Sequence, residues 1–318
     1  GCGDDAEGAV LEASAVEELS VPGQGPQVGF AIVELRPKEL RPGEDGAVAL
    51  VGGLMYTGQW KGHVREGRGV LEGPHGGRYE GEFMADLAHG RGQLVRASGS
   101  TYDGEWAEGR ARGRGSFVQV DGSCYDGQWI DDLQEGHGVE TWADGSRFEG
   151  CYSRGLKHGK GRFEYTDGSV YEGEFRDDEI HGVGTHRWKD GRTYHGEWSR
   201  GQFHGSGHMC WSDGRSYHGH YVTDQKHGEG TFAWPDGQMY RGQWAKGKQH
   251  GLGRYLSTSG KVRTGEWLAG SISRWFESDR DLLPEDGFPA PQNEASPSGR
   301  YPRGDQEQQT LERLMSTV

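Results

Sequence analysis

YEGEFRDDEIHGVGTHRWKDG, running from Tyr171 to Gly191, and YHGEWSRGQFHGSGHMCWSDG, from Tyr194 to Gly214, are two copies of one unit. Their first residues stand 23 apart, and the spacing extends in both directions: Tyr56, Tyr79, Tyr102, Tyr125, Phe148, Tyr171, Tyr194, Tyr217, Tyr240, with Arg263 in the tenth slot. Two residues after each comes Gly, from Gly58 to Gly265. Two further on stands a second aromatic: Trp60, Phe83, Trp106, Trp129, Tyr152, Phe175, Trp198, Tyr221, Trp244, Trp267. Self-similarity at a fixed period of this size is the mark of a repeat architecture.

The unit reads as a β-hairpin. In Tyr-x-Gly-x-Trp the period of two puts Tyr, Gly and Trp on one face of a strand. The residues between them, such as Glu80 and Glu82 or Glu172 and Glu174, then face water. The central Gly leaves a slot for aromatic rings of adjacent repeats. A second strand is expected from the Gly-x-Gly, for example Gly182 and Gly184, to about Trp188. Asp-Gly (Asp121-Gly122, Asp144-Gly145, Asp167-Gly168, Asp190-Gly191, Asp213-Gly214, Asp236-Gly237) then reverses the chain, both residues being tolerant of positive φ. Two strands per unit, about 4.8 Å apart, give roughly 9.6 Å per repeat and a plate on the order of 95 Å long for ten.

These motifs resemble the MORN repeat (membrane occupation and recognition nexus), whose pattern runs YxGxWxxGxxHGxGxxxxxDG. The resemblance covers residues 51–276. It weakens at the ends, where Glu66 and Arg112 replace the His of His-Gly, Gly76 lacks its Asp, and Arg263 replaces Tyr. Degenerate end copies suit repeats that lack a neighbour on one side. The resemblance implies an all-β, elongated single-layer antiparallel array of hairpins. It also implies a non-catalytic scaffold that binds protein partners, cytoskeletal or axonemal, at a membrane-associated cytoskeleton, cilium or flagellum. In that reading the aromatic and glycine columns supply the binding surface, and loops such as MADLA and RDDEI vary its chemistry. The alternative is a phosphoinositide-binding or lipid-kinase regulatory module.

Composition agrees with a repeat rather than a conventional core. Hydrophobic residues make up 32% and aromatics 11% of 318 residues, and 58 are Gly. Disordered chains are poor in aromatics, and no stretch approaches the roughly 20 apolar residues of a membrane span. The net charge of −14 argues against a generic nucleic-acid binder. Cys2, Cys124, Cys151 and Cys210 form no CxxC, so a reduced, cytoplasmic chain is expected.

Three regions follow. Residues 1–50 form an acidic tail whose GAVALVGG and VGFAIVEL segments are expected to cap the first repeat. Residues 51–276 form the array. Residues 277–318 form a Pro-containing linker ending in a short amphipathic helix, with Leu311, Leu314, Met315 and Val318 on one face. Gly1 and Cys2 are candidates for myristate and palmitate, which together anchor a protein where one chain does not. The last repeats are basic, and Arg241, Lys246, Lys248, Arg254, Lys261 and Arg263 are the candidate contacts for lipid or an acidic partner. Self-association is a further expectation.

No catalytic residue, cofactor or metal is expected. The column His89, His158, His181, His204, His227, His250 places its members one repeat apart, too far to share an ion whose ligands lie about 2 Å from it. His195, His208, His218 and His220 near Cys210 read as exposed or hydrogen-bonded side chains. The Asp-Gly carboxylates are explained by the turn, and Gly-x-Gly lacks the Lys-Ser/Thr of a P-loop. Enzymes that carry MORN repeats join them to a catalytic domain, which the polar residues after 275 do not resemble.

Overall fold

The computed structural model describes residues 46–276. Gly1, Cys2, the segment around Val28–Leu35 and the expected C-terminal helix lie outside the described residues. From Met55 on, ten seven-residue strands alternate with nine-residue strands, the last of these shortened to Ser271–Trp275. The pairings are antiparallel, so the fold is the all-β array of hairpins that the repeat predicts. The chain divides into two units, Gly1–Asp190 with Glu197–Gln202, and Gly191–Gly196 with Phe203–Val318.

In the first unit, glycines pair with glycines without a break. Gly58 opposes Gly69, Gly69 opposes Gly81, and the ladder continues strand by strand to Gly173 and Gly184. The second unit repeats the pattern from Gly207–Gly219 to Gly253–Gly265. The reason is the tyrosine. The Tyr79 ring lies over the two glycines of its own hairpin, so a Cβ on Gly92 would meet its Cζ at 2.6 Å. The slot is therefore filled from within the repeat, not by an adjacent one as the sequence suggests. The Tyr79 hydroxyl donates to the Glu82 carbonyl at 3.0 Å, where the strand register shifts.

Neighbouring repeats interlock through rings. From Tyr56 to Trp198 in the first unit, each first-column ring meets the second-column rings of its own and the next repeat edge to face, with centroids 5.0–5.4 Å apart. Such pairs contribute about 0.5–1.5 kcal/mol each beyond burial. Trp106 and Trp129 also donate their indole N–H to Gly92 and Gly115 of the preceding hairpin at 2.9 Å. In the second unit the same chain runs through Tyr217, Trp244 and Tyr240 to Trp267.

Two kinds of turn join the strands. From the second repeat on, each seven-residue strand is followed by a two-residue turn with both φ positive, such as Asp177-Asp178 (51°, 69°) or Glu108-Gly109 (53°, 78°); in the first turn only Gly62 (65°) is positive. This is the hairpin turn whose twist matches the strands. The second strand consequently starts at Glu179, three residues before the expected Gly182. At the other end Asp-Gly closes a three-residue loop: Gly122 N–H donates to Gln119 and Gln119 N–H to Ser123. Only the Gly takes positive φ, 90° at Gly122. Asp121 does not, contrary to expectation. Its Oδ1 instead accepts the Ser123 N–H at 2.9 Å.

The ends are capped differently. Val48, from the expected GAVALVGG segment, pairs with Tyr56 and is buried. At the far end Ile272 and Trp275 cover Gly265, and the Arg263 guanidinium sits 4.0 Å from the Trp275 ring centre.

Candidate functional site

The first two aromatic columns are core. Of their nineteen aromatics only Trp60 is not buried; Tyr79, Phe83, Tyr102, Trp106, Tyr125, Trp129, Phe148, Tyr152, Tyr171, Phe175, Tyr194, Trp198, Tyr217, Tyr221, Tyr240, Trp244 and Trp267 are 0–6% exposed, as is Tyr56. They cannot form the binding surface that the sequence assigns to them, because each ring is enclosed by its neighbours. Burial likewise pushes the phenols up, Tyr56 to about 12.

A third column lies outside this core. Trp142, Tyr165 and Trp188 in the first unit, and Trp211 and Trp234 in the second, stand immediately after the nine-residue strands, each 23 residues after the last. All five are half-buried. Each opens an Asp-Gly loop, as where Gly145 N–H donates to the Trp142 carbonyl. Their inner edges rest on the next column inward: Trp142 on Phe163 at 5.3 Å, Trp188 stacked on His186 at 4.2 Å, Trp234 on Phe232 at 4.6 Å. Half-buried rings held by a neighbour lose little entropy when something packs on them. The periodic signal was present, but Arg96, Gln119 and Ser257 hold the equivalent positions in other repeats, so it does not run the length of the array.

Cations punctuate this face. Lys157 sits among Trp142, Phe148 and Tyr152, and its Nζ reaches Glu140 at 3.2 Å and Asp178 at 3.7 Å. Glu140 also accepts the Tyr152 hydroxyl at 2.9 Å. The result is a paired network that is half-buried at Lys157 and Glu140 and exposed at Asp178.

The six basic residues expected to contact lipid or an acidic partner do not converge. Arg241 and Arg254 oppose each other across strands, on the face away from Tyr240. Lys246 begins a two-residue turn and Lys248 follows it at the same sheet edge. Lys261 closes the loop at the opposite edge, and Arg263 points onto Trp275. Arg241 and Arg254 share a face and Lys246 and Lys248 an edge, but the six form no single patch.

The polar face has structural duties that the sequence reading missed. Gln59, Gln128 and Gln243 accept the backbone N–H of Arg68, His137 and Leu252 through their side-chain oxygens, at 3.0–3.2 Å. Glu82 folds over Gly90 in the same way. Each thereby stabilises the left-handed Gly that begins Gly-x-Gly. The Asp-Gly carboxylates are similarly employed, and hydrogen bonds from Ser146 and Ser169 hold Asp144 and Asp167 below the usual carboxylate range. His208 and His218 pair across strands with rings 5.9 Å apart, and His208 lies 3.5 Å from the Cys210 sulfur. Among the described residues no three His, Cys, Asp or Glu side chains are arranged to hold a metal.

Fold and geometry define an antiparallel β-hairpin repeat protein with a buried Tyr-Gly-Trp core. The pattern described as "MORN repeat" matches nine consecutive copies, at residues 56–78, 79–101, 102–124, 125–147, 148–170, 171–191, 194–214, 217–239 and 240–262. The chain belongs to the MORN repeat family. A comparison with curated proteins found no match. Among solved structures, the TCP10 domain of Danio rerio CPAP in complex with a peptide of Danio rerio STIL is 12% identical, over 71% of this chain and 99% of that one, with a TM-score of 0.41. The G-box domain of the microcephaly protein CPAP is 11% identical, over 64% and 100%, with a TM-score of 0.35. The Drosophila melanogaster SAS-4 TCP domain, in complex with a proline-rich motif of Ana2, is 11% identical over 56% and 85%, with a TM-score of 0.28.

Proposed function

We propose that this chain is a non-catalytic scaffold that binds protein partners at a membrane-associated cytoskeleton, cilium or flagellum. MORN repeats suit a protein-binding or membrane-associated scaffold. The observation that carries the protein-binding choice is the half-buried aromatic column Trp142, Tyr165, Trp188. Large, rigid rings seated on one edge are the residue types that anchor protein interfaces. The core does not require them at every repeat, since polar residues stand at the same position elsewhere.

Proximity labelling of the intact chain in its own cells tests this. A Trp142→Ser/Trp188→Ser variant should lose the labelled partners that the wild type gains, while remaining folded. An unchanged set of partners would remove the outer column from the account.

A further inference from the structure

One column of the repeat, two residues after each two-residue turn, carries three cations: Arg65, Lys157 and Lys226. Each pairs across its hairpin with a second-column aromatic, Trp60, Tyr152 and Tyr221 respectively. Two of the three are neutralised by carboxylates from fixed places. Arg65 binds Asp86 at 3.0 Å, and Lys157 binds Asp178 at 3.7 Å; both aspartates are the second residue of the next repeat's turn. Lys157 has a second partner in Glu140.

Lys226 has neither. Gly247 stands where Asp86 and Asp178 stand, and Met209 stands where Glu140 stands. Four rings surround its Nζ instead: Phe232 at 4.4 Å, Trp244 at 4.9 Å, Tyr217 at 5.0 Å and Trp211 at 5.1 Å. Among the described residues no carboxylate lies within ion-pair distance of it. The charge that acts on it is Arg215, itself paired with Asp213 at 2.7 Å. Desolvation by this surround, with Arg215 adding to it, holds the ammonium down to about 8. Rings attract a cation but do not replace the acceptors that an ammonium leaves behind in water. The side chain remains half-buried rather than enclosed, and half-buried Trp211 and Trp234 stand on the same face.

We infer that the Lys226 cage is a recognition site for a carboxylate side chain of an acidic, extended polypeptide partner, which supplies the charge that Glu140 and Asp178 supply to Lys157. This rests on the protein-binding reading and specifies the chemistry of one of its contacts. The carboxylate accepts hydrogen bonds from Nζ, while apolar parts of the partner lie against Trp211 and Trp234. A charge-assisted bond formed with desolvation is among the stronger polar contacts.

The test uses the intact chain and a capped peptide of alternating Pro and Glu, with a Pro-Gln peptide as control. The Pro-Glu peptide should bind about tenfold more tightly, the discrimination expected of a charge-assisted bond. Lys226→Met should reduce its affinity to that of the control. Gly247→Asp, which installs the carboxylate used at Asp86 and Asp178 in a turn that accepts Asp, should do the same with Lys226 still present. By NMR the Lys226 ammonium of the isolated chain should titrate near 8 and rise by more than one pH unit on adding the Pro-Glu peptide. Equal binding of the two peptides, or affinity unaffected by both variants, would overturn the site. Titration near 10.5 in the isolated chain would show the cage filled from within and also overturn it. An equal response to acetate at the same carboxylate concentration would reduce it to a bare anion site. Partners of the wild type that persist with Lys226→Met would leave the scaffold reading standing without this contact.

Discussion

The Tyr79 ring lies across Gly92 of the neighbouring strand so closely that a Cβ there would stand 2.6 Å from the ring's Cζ. The same relationship recurs between Tyr125 and Gly138 and between Tyr171 and Gly184. It makes the glycine ladder and the tyrosine column one device, since neither can change without the other.

Gly92→Ala should therefore cost about 3 kcal/mol, the upper end for overpacking a filled site. Tyr79→Phe keeps the ring and loses only the bond to Glu82, so about 1 kcal/mol is expected. Phe148 already lacks that bond, and Phe148→Tyr should recover a similar amount. Denaturant melts of the three variants measure this. A harmless Gly92→Ala would mean that the ring does not occupy its place over the ladder.

From Asp86 to Gly247 the two-residue turns alternate between a second residue of Asp (Asp86, Asp132, Asp178, Asp224) and of Gly (Gly109, Gly155, Gly201, Gly247). Each Asp Oδ1 accepts a backbone N–H from the preceding hairpin, as Asp132 does from Ala111 at 2.8 Å. Asp132→Ala loses this bond and strains a left-handed position, for about 1–2 kcal/mol. Asp132→Asn keeps the acceptor and should cost less than about 0.5 kcal/mol, since Asn tolerates that conformation. Comparable losses in both would show that the carboxylate charge, rather than the acceptor, is what matters.

Much of this was legible in the sequence. Tyr56 to Tyr240 and their glycines announce the strand, its face and its partner, because period-two alternation and the Gly ladder are local. The two-residue turns were not legible. Ala85, Glu108, Arg154 and Lys246 take positive φ there although none is a turn residue by type. The register of the flanking strands imposes the conformation, and local preference yields. The outer column was also missed, because polar residues interrupt it at Arg96, Gln119 and Ser257. Lys226 is conspicuous only when Gly247 and Met209 are placed against Asp178 and Glu140, a comparison across repeats that needs the register.

The depressed Lys226 ammonium predicts a pH signature. Its folded value of about 8 lies below the ordinary 10.5, so between these the unfolded chain binds more protons. Stability should rise with pH across that window. The rise belongs to Lys226 if wild type shows it and Lys226→Met does not, both followed by chemical denaturation from pH 7 to 10. Parallel curves for the two would show that the cage does not desolvate the amine.

The account's central claim is that folding and partner binding use different aromatic columns. Trp129→Ala and Trp188→Ser, compared side by side for unfolding free energy and for recovery of labelled partners, test it most directly. Trp129 is 1% exposed, and its loss should cost about 3–5 kcal/mol. Trp188→Ser should cost no more than about half of that, since its ring is only half-buried, and should lose the partners. If Trp188→Ser kept its partners, or if it unfolded the chain as severely as Trp129→Ala, the two columns would not be separable and the claim would be wrong.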